Sequence, residues 1–161
     1  PLRRRQCEQA VGALGVASLR DVTPVELAEV VEAGGLDATL LARVRHVVGE
    51  IDRTAQAAEA LARGDWRGFG RLMFASHRSL RDDYEVSSAE LDAIVESAGE
   101  CEGVYGARMT GGGFGGCAII LAEADAAEAV GRRVADRFQA AFHRRPPVLA
   151  TAAAAGAGVL P

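Results

Sequence analysis

Five glycines fall within the seven residues Thr110–Gly116, TGGGFGG, between two apolar stretches. Glycine loses more backbone freedom on folding than any other residue, so this density is costly. A tight hairpin needs one or two glycines beside Asn or Asp. The chemistry that Thr110, Gly111, Gly112, Gly113, Phe114, Gly115 and Gly116 offer is that of bare backbone. Successive N–H groups in turn conformations form a concave nest for anions, and missing side chains let a ligand approach the main chain. The two familiar nucleotide motifs do not fit. A P-loop places Lys and Ser/Thr after its last glycine, where this chain has Cys117 and Ala118. A dinucleotide fingerprint opens a helix, whereas residues 117–122 read as a strand. The loop alone leaves two readings open: a backbone that faces a ligand, or a wide hairpin whose glycines serve packing.

The second dense stretch is SHRSLRDDYEVS, residues 76–87. His77, Asp82 and Asp83 could be imagined as a metal cluster or an acid–base pair. His77 lies on the apolar face of its helix, the usual place for a packed, hydrogen-bonded histidine. Asp82 and Asp83 stand where the helix ends, so turn and arginine contacts are expected of them. No catalytic residue and no metal ligand is assigned here.

The elements that must hold these stretches follow from periodicity and caps. A helix is expected over 3–14, ending near Gly15. Thr23 and Glu26 form a capping box around Pro24 at the first helical position. Leu27, Val30 and Val31 give that helix its apolar face. Asp37 caps a long helix with Leu40, Val44, Val47, Val48, Ile51, Ala55, Ala58 and Leu61 at helical spacing. Gly64-Asp65 closes it and opens another, lined by Trp66, Phe69, Met73, Phe74, His77 and Leu80. Arg67, Arg71, Arg78 and Arg81 fall elsewhere on that helix. Ser87 with Glu90 forms a second capping box before Leu91, Ile94, Val95 and Ala98.

The texture then changes. Residues 103–109 and 117–122 read as strands, the second too uniformly apolar for a solvated face. Asp125 caps a last helix with Val130, Val134, Phe138 and Ala141 on one side, and Pro146-Pro147 bars its continuation. VLATA, 148–152, is expected as a third strand and GVL, 158–160, as a short fourth. The fold class is α+β: helices packed on one face of a small, mainly antiparallel sheet.

At 161 residues the chain is most simply one domain able to bury a core. Its formal net charge of −4 leaves no electrostatic footprint for nucleic acid. All 18 basic residues are arginine. The three widely spaced cysteines, Cys7, Cys101 and Cys117, argue against a disulfide framework or zinc site and for a reducing compartment. Cys117 is expected in the core. No apolar run reaches the length of a membrane span. The chain starts at Pro1 without Met and reads as a piece of something longer.

RRRQCE at the start, HVVGEIDRTAQAAEAL, FGRLM with SHRSLRDDYEVS, and VYGARMTGGGFGGCAI together resemble the C-terminal half of the galactokinase family. That family belongs to the superfamily of galactokinase, homoserine, mevalonate and phosphomevalonate kinases. The resemblance spans nearly the whole chain. Ser88 is one departure, where many relatives carry Cys. It implies a ferredoxin-like C-terminal domain over residues 1–161, a cytoplasmic location, and an N-terminal lobe absent from this chain. That lobe would carry the catalytic Asp, the serine-rich phosphate loop and most galactose contacts. ATP and Mg2+ are implied as cofactors and galactose as substrate, with no activity expected of this part alone. Thr110–Gly116 would reach across the interlobe cleft beside sugar and phosphate. A related sugar kinase, or a sugar and ATP sensor acting through protein partners, would share this half. A lobe on its own would also expose apolar surface meant for its partner lobe.

Overall fold

The structure, a computed structural model, describes residues 2–153. Helix α1 runs Leu2–Leu14, and Ser18 then caps a single 3-10 turn, Leu19–Asp21. Helix α2, Pro24–Ala33, starts with the expected capping box: Thr23 and Glu26 satisfy each other's backbone N–H groups. Helix α3, Ala38–Ala62, starts at Asp37, whose carboxylate accepts from the Thr39 and Leu40 amides at 2.9 and 3.0 Å. Helix α4, Trp66–Asp82, starts at Asp65, which accepts from the Gly68 amide at 2.7 Å. Helix α5 is Ala89–Gly99, and strands β1 (Val104–Thr110) and β2 (Cys117–Ala122) precede helix α6, Ala127–Phe142.

The strands pair antiparallel, Thr110 opposite Cys117 and Arg108 opposite Ile119, so the glycine run closes the hairpin. Helix α4 packs directly on β1. A Cβ on Gly70 would run into the Tyr105 carbonyl, and one on Gly106 into the Gly70 backbone. These two glycines let a helix and a strand approach backbone to backbone. Helix α5 also packs on β1, and α6 on α5. The resulting core holds Val95, Ala98, Ala107, Val130 and Val134, with Phe74 and Ile120 against it. A second core, Ala10, Leu19, Val22, Val44 and Val48, joins α1 and the 3-10 turn to α3. A third, Val86, Leu91 and Met109, lies next to the glycine loop. Burying each such aliphatic side chain contributes about 1.5–3 kcal/mol, so the loop's base is held by packing as well as by the ladder.

Several expectations are corrected. No third strand forms at 148–152, which carries no ladder and leaves Val148 and Leu149 exposed. The fourth, at 158–160, lies outside the described residues. The sheet therefore has two strands among the described residues. The α5 cap is Ser88, not Ser87: Ser88 Oγ takes the Leu91 amide while Ser87 Oγ turns to Asp92 at 2.6 Å. Asp125 does not cap α6; Ala126 holds the N-cap position without a side-chain bond. Trp66, at the first turn of α4, is half exposed. Beyond Glu50 the apolar stripe of α3 (Ile51, Ala55, Ala58, Leu61) is solvent-facing. Its 25 residues extend about 37 Å at 1.5 Å per residue, while the 13 of α1 cover only the first half.

Candidate functional site

The hairpin end is where the loop's geometry can be read. Gly111, Gly113, Gly115 and Gly116 all have φ between 82° and 123°, a region L side chains rarely adopt. Phe114 joins them at φ 59° and is 72% exposed at the tip. Gly113 is wedged: a Cβ there would strike the carbonyl and side chain of Val86. Beside it the Phe114 amide donates to Val86 O at 2.6 Å. Gly111, Gly112 and Gly115 have nothing within 4 Å of a Cβ position. Gly112 also lacks a positive φ, so neither strain nor crowding within the chain demands glycine there. The loop is seated on one side and open on the other.

The base of the loop is fixed through His77. Its Nδ1 accepts the Met109 amide at 3.2 Å, one residue before Thr110. Since Nδ1 is the acceptor, the ring proton sits on Nε2, which lies 3.2 Å from Asp92 Oδ1. Burial lowers the His77 pKa, with Asp92 opposing the shift. His77 is thus a neutral structural link between α4 and β1, with Asp92 of α5 beside its Nε2.

Asp82 and Asp83 make the arginine and turn contacts expected of them. Asp82 pairs with Arg81 at 2.8 Å, and Asp83 accepts from Ser79 Oγ at 2.9 Å. His77, Asp82 and Asp83 do not converge on one point. Among the described residues no group of three or more His, Cys, Asp or Glu could hold a metal ion.

A polar layer that the sequence reading did not single out runs behind the turn after α4. Arg43 is 2% exposed, and its guanidinium donates to Gln6 Oε1 at 2.9 Å, to Glu85 Oε2 at 2.6 Å and to the Asp83 carbonyl. Arg3 donates to the carbonyls of Tyr84 and Glu85. His46 stacks on Tyr84 with ring centroids 4.3 Å apart and contacts Ser79 Oγ at 3.0 Å. Burial depresses the His46 pKa to about 4, with Glu50 opposing. Burial pushes the Glu50 carboxyl up, but bonds from Arg53 and Ser76 outweigh it and hold it below its usual value. Its partners are Arg53 Nε at 2.6 Å and Ser76 Oγ at 2.7 Å. The signal was present in the spacing. Arg43, His46, Glu50 and Arg53 recur at intervals of three and four along α3. Arg43 also falls inside the apolar stripe, three residues after Leu40 and four before Val47.

The strand after the loop departs from expectation. Cys117 is exposed rather than in the core, and Ile119 is 52% exposed. With two strands and helices on one side, the outward positions of β2 have no covering layer among the described residues. Phe114 and Ile119 therefore set exposed apolar surface around the open loop. No helix among the described residues is long and apolar enough to cross a membrane.

Comparison with known proteins gives this geometry a context. Residues 57–140 match the family model for the GHMP kinase C-terminal domain. The chain is 56% identical over 162 residues to galactokinase of Bos taurus, covering 99% of this chain and 39% of that protein. It is 57% identical over 141 residues to galactokinase of Homo sapiens, covering 86% of this chain and 35% of that protein. A crystal structure of Lactococcus lactis galactokinase complexed with galactose superposes with a TM-score of 0.84 at 38% identity. That match covers 89% of this chain and 38% of the Lactococcus chain. The chain spans somewhat under two fifths of the length of these relatives.

Proposed function

The chain belongs to the GHMP kinase C-terminal family, and from that premise we propose that it is the C-terminal lobe of a cytoplasmic galactokinase. The whole enzyme would carry a phosphoryl group from ATP to the 1-hydroxyl of galactose, giving galactose 1-phosphate and ADP. The observation that carries the reading is the open side of the loop at Gly111, Gly112 and Gly115, where among the described residues nothing comes within 4 Å of a Cβ position.

The loop's part follows from its geometry. Phosphoryl transfer depends on positioning and on stabilising charge on the transferred group's oxygens. Donors already fixed before reaction cost no reorganisation at that step. Backbone N–H groups of Gly111, Gly112 and Gly115 would present such donors without side chains in the way, while that of Phe114 is spent on Val86 O. The seat on Val86 and the His77 bond to Met109 hold the loop from two sides. ATP would supply the γ-phosphoryl group, and the glycine cradle has room for an anionic group at Gly111, Gly112 and Gly115. Mg2+ does not fit here: the described residues converge no acidic set, and its ligands would come from the other lobe.

The test joins this chain to the N-terminal lobe of a relative such as the human galactokinase, and measures galactose-dependent ADP formation. Turnover in the joined protein and none in the chain alone are expected. Turnover by the chain alone, or none in a folded joined protein, overturns the reading.

A further inference from the structure

The turn at residues 83–86 is held more firmly than a surface connection requires. Its four successive carbonyls are all taken. Asp83 O accepts from Arg43, Tyr84 O and Glu85 O accept from Arg3, and Val86 O accepts the Phe114 amide of the glycine loop. Its amides are tied as well: Tyr84 N–H donates to Ser79 O and Val86 N–H to Leu80 O, at 2.9 and 3.0 Å. Glu85 sits at φ 54°, a left-handed conformation that costs a non-glycine residue free energy and persists only where surroundings impose it. Two cations hold it: Arg3, on the Tyr84 and Glu85 carbonyls and the Glu85 carboxylate, and Arg43, the more deeply buried of the two. Arg43 reaches from α3 with three of its nitrogens engaged, on Gln6 of α1, the Asp83 carbonyl and the Glu85 carboxylate. A planar, always-charged fork can hold three acceptors at once, which a lysine ammonium on a flexible stem cannot reproduce.

We propose that Arg43 is a positioning residue for the glycine loop. Through Asp83 and Glu85 it fixes the direction of the Val86 carbonyl. That carbonyl receives Phe114 N–H, and its residue is what Gly113 lies against. The loop's position on the turn is therefore set by a side chain that itself never touches the loop. The consequence for turnover rests on the galactokinase reading above; the seat itself does not.

The test separates the two. Amide hydrogen exchange is followed in this chain as wild type, Arg43→Met and Glu85→Gln. The Phe114 amide is expected to exchange at least about tenfold faster in Arg43→Met and a few-fold faster in Glu85→Gln, with α6 and β1 amides unchanged. Glu85 is an exposed side chain, so its variant decides the matter if Arg43→Met does not fold. In the protein joined to an N-terminal lobe, Arg43→Met should lower kcat about tenfold and move KM for galactose less than twofold, and Arg43→Lys should restore little of the loss. Unchanged exchange at Phe114, or acceleration spread evenly over all amides, overturns the proposal, as does an unchanged kcat. A joined wild type without turnover counts against the galactokinase reading alone, since exchange still decides the seat.

Discussion

Two sets of glycines in this chain stand in opposite surroundings. Gly70 and Gly106 face each other where α4 crosses β1, and a methyl group on either would enter the other's backbone or its neighbour's. Gly111, Gly112 and Gly115 stand at the hairpin end, and among the described residues nothing lies within 4 Å of where a side chain would begin. The first set is explained by the fold. The second is explained by conformation where φ is positive, and at Gly112 by neither conformation nor packing. Gly12 and Gly35 are equally unconstrained by the described residues, but only Gly112 stands in a run of glycines at the end of a hairpin, where a bare backbone is open to a ligand.

The largest effect is expected where the glycines are packed. Gly70→Ala should destabilise the isolated chain by about 3 kcal/mol or more, because the obstacle is the Tyr105 carbonyl and not a movable side chain. Urea denaturation measures it; a loss under about 1 kcal/mol would mean that α4 and β1 separate easily.

The scaffold behind the loop should also carry a pH limit that the open glycines lack. Unfolded His46 titrates near 6.5 and the folded ring at about 4, with Glu50, Arg53, Asp83 and Arg108 around it. Between those values the unfolded chain binds the extra proton, so stability falls as pH falls. The full loss is up to about 3 kcal/mol. His77, also lowered by burial, acts in the same direction. Urea midpoints from pH 7 to pH 4.5 should decline, and His46→Gln should flatten the decline. An equal slope in that variant would assign the acid sensitivity elsewhere.

A smaller effect is expected at Gly111, where φ is 90° but space is open. Gly111→Ala should cost about 1–2 kcal/mol through backbone strain alone. A cost equal to that at Gly70 would show hidden crowding and weaken the contrast.

Much of the helical scaffold was legible because its determinants are local. Thr23 with Glu26, Asp37 and Asp65 cap the helices they were expected to cap, each through a side chain within three residues. The failures are non-local. Ser87 and Ser88 are both adequate caps by type, and the choice was made by Asp92, which takes Ser87 Oγ. VLATA has strand composition, but a strand needs a partner, and composition does not supply one. The stripe on α3 was read to its end because periodicity does not reveal that α1 stops short. The loop stood out by composition, whereas its seat did not. Arg43, Arg3 and Glu85 meet across 40 to 82 positions of sequence, and only their side-chain chemistry in three dimensions ties them to Phe114.

In the proposed function the open side of the glycine loop faces a ligand and not the packing of the described residues. Gly112→Ala is the decisive substitution, because among the loop glycines this position alone combines open space with no positive φ. In the isolated chain the substitution should leave stability unchanged or raise it by about 0.4–1 kcal/mol, since alanine restricts the unfolded state. In the protein joined to an N-terminal lobe, the same substitution should lower galactose-dependent ADP formation at least about tenfold, a methyl group now standing where substrate meets backbone. Full activity with unchanged stability would contradict the account, because the open glycine would then serve neither fold nor ligand.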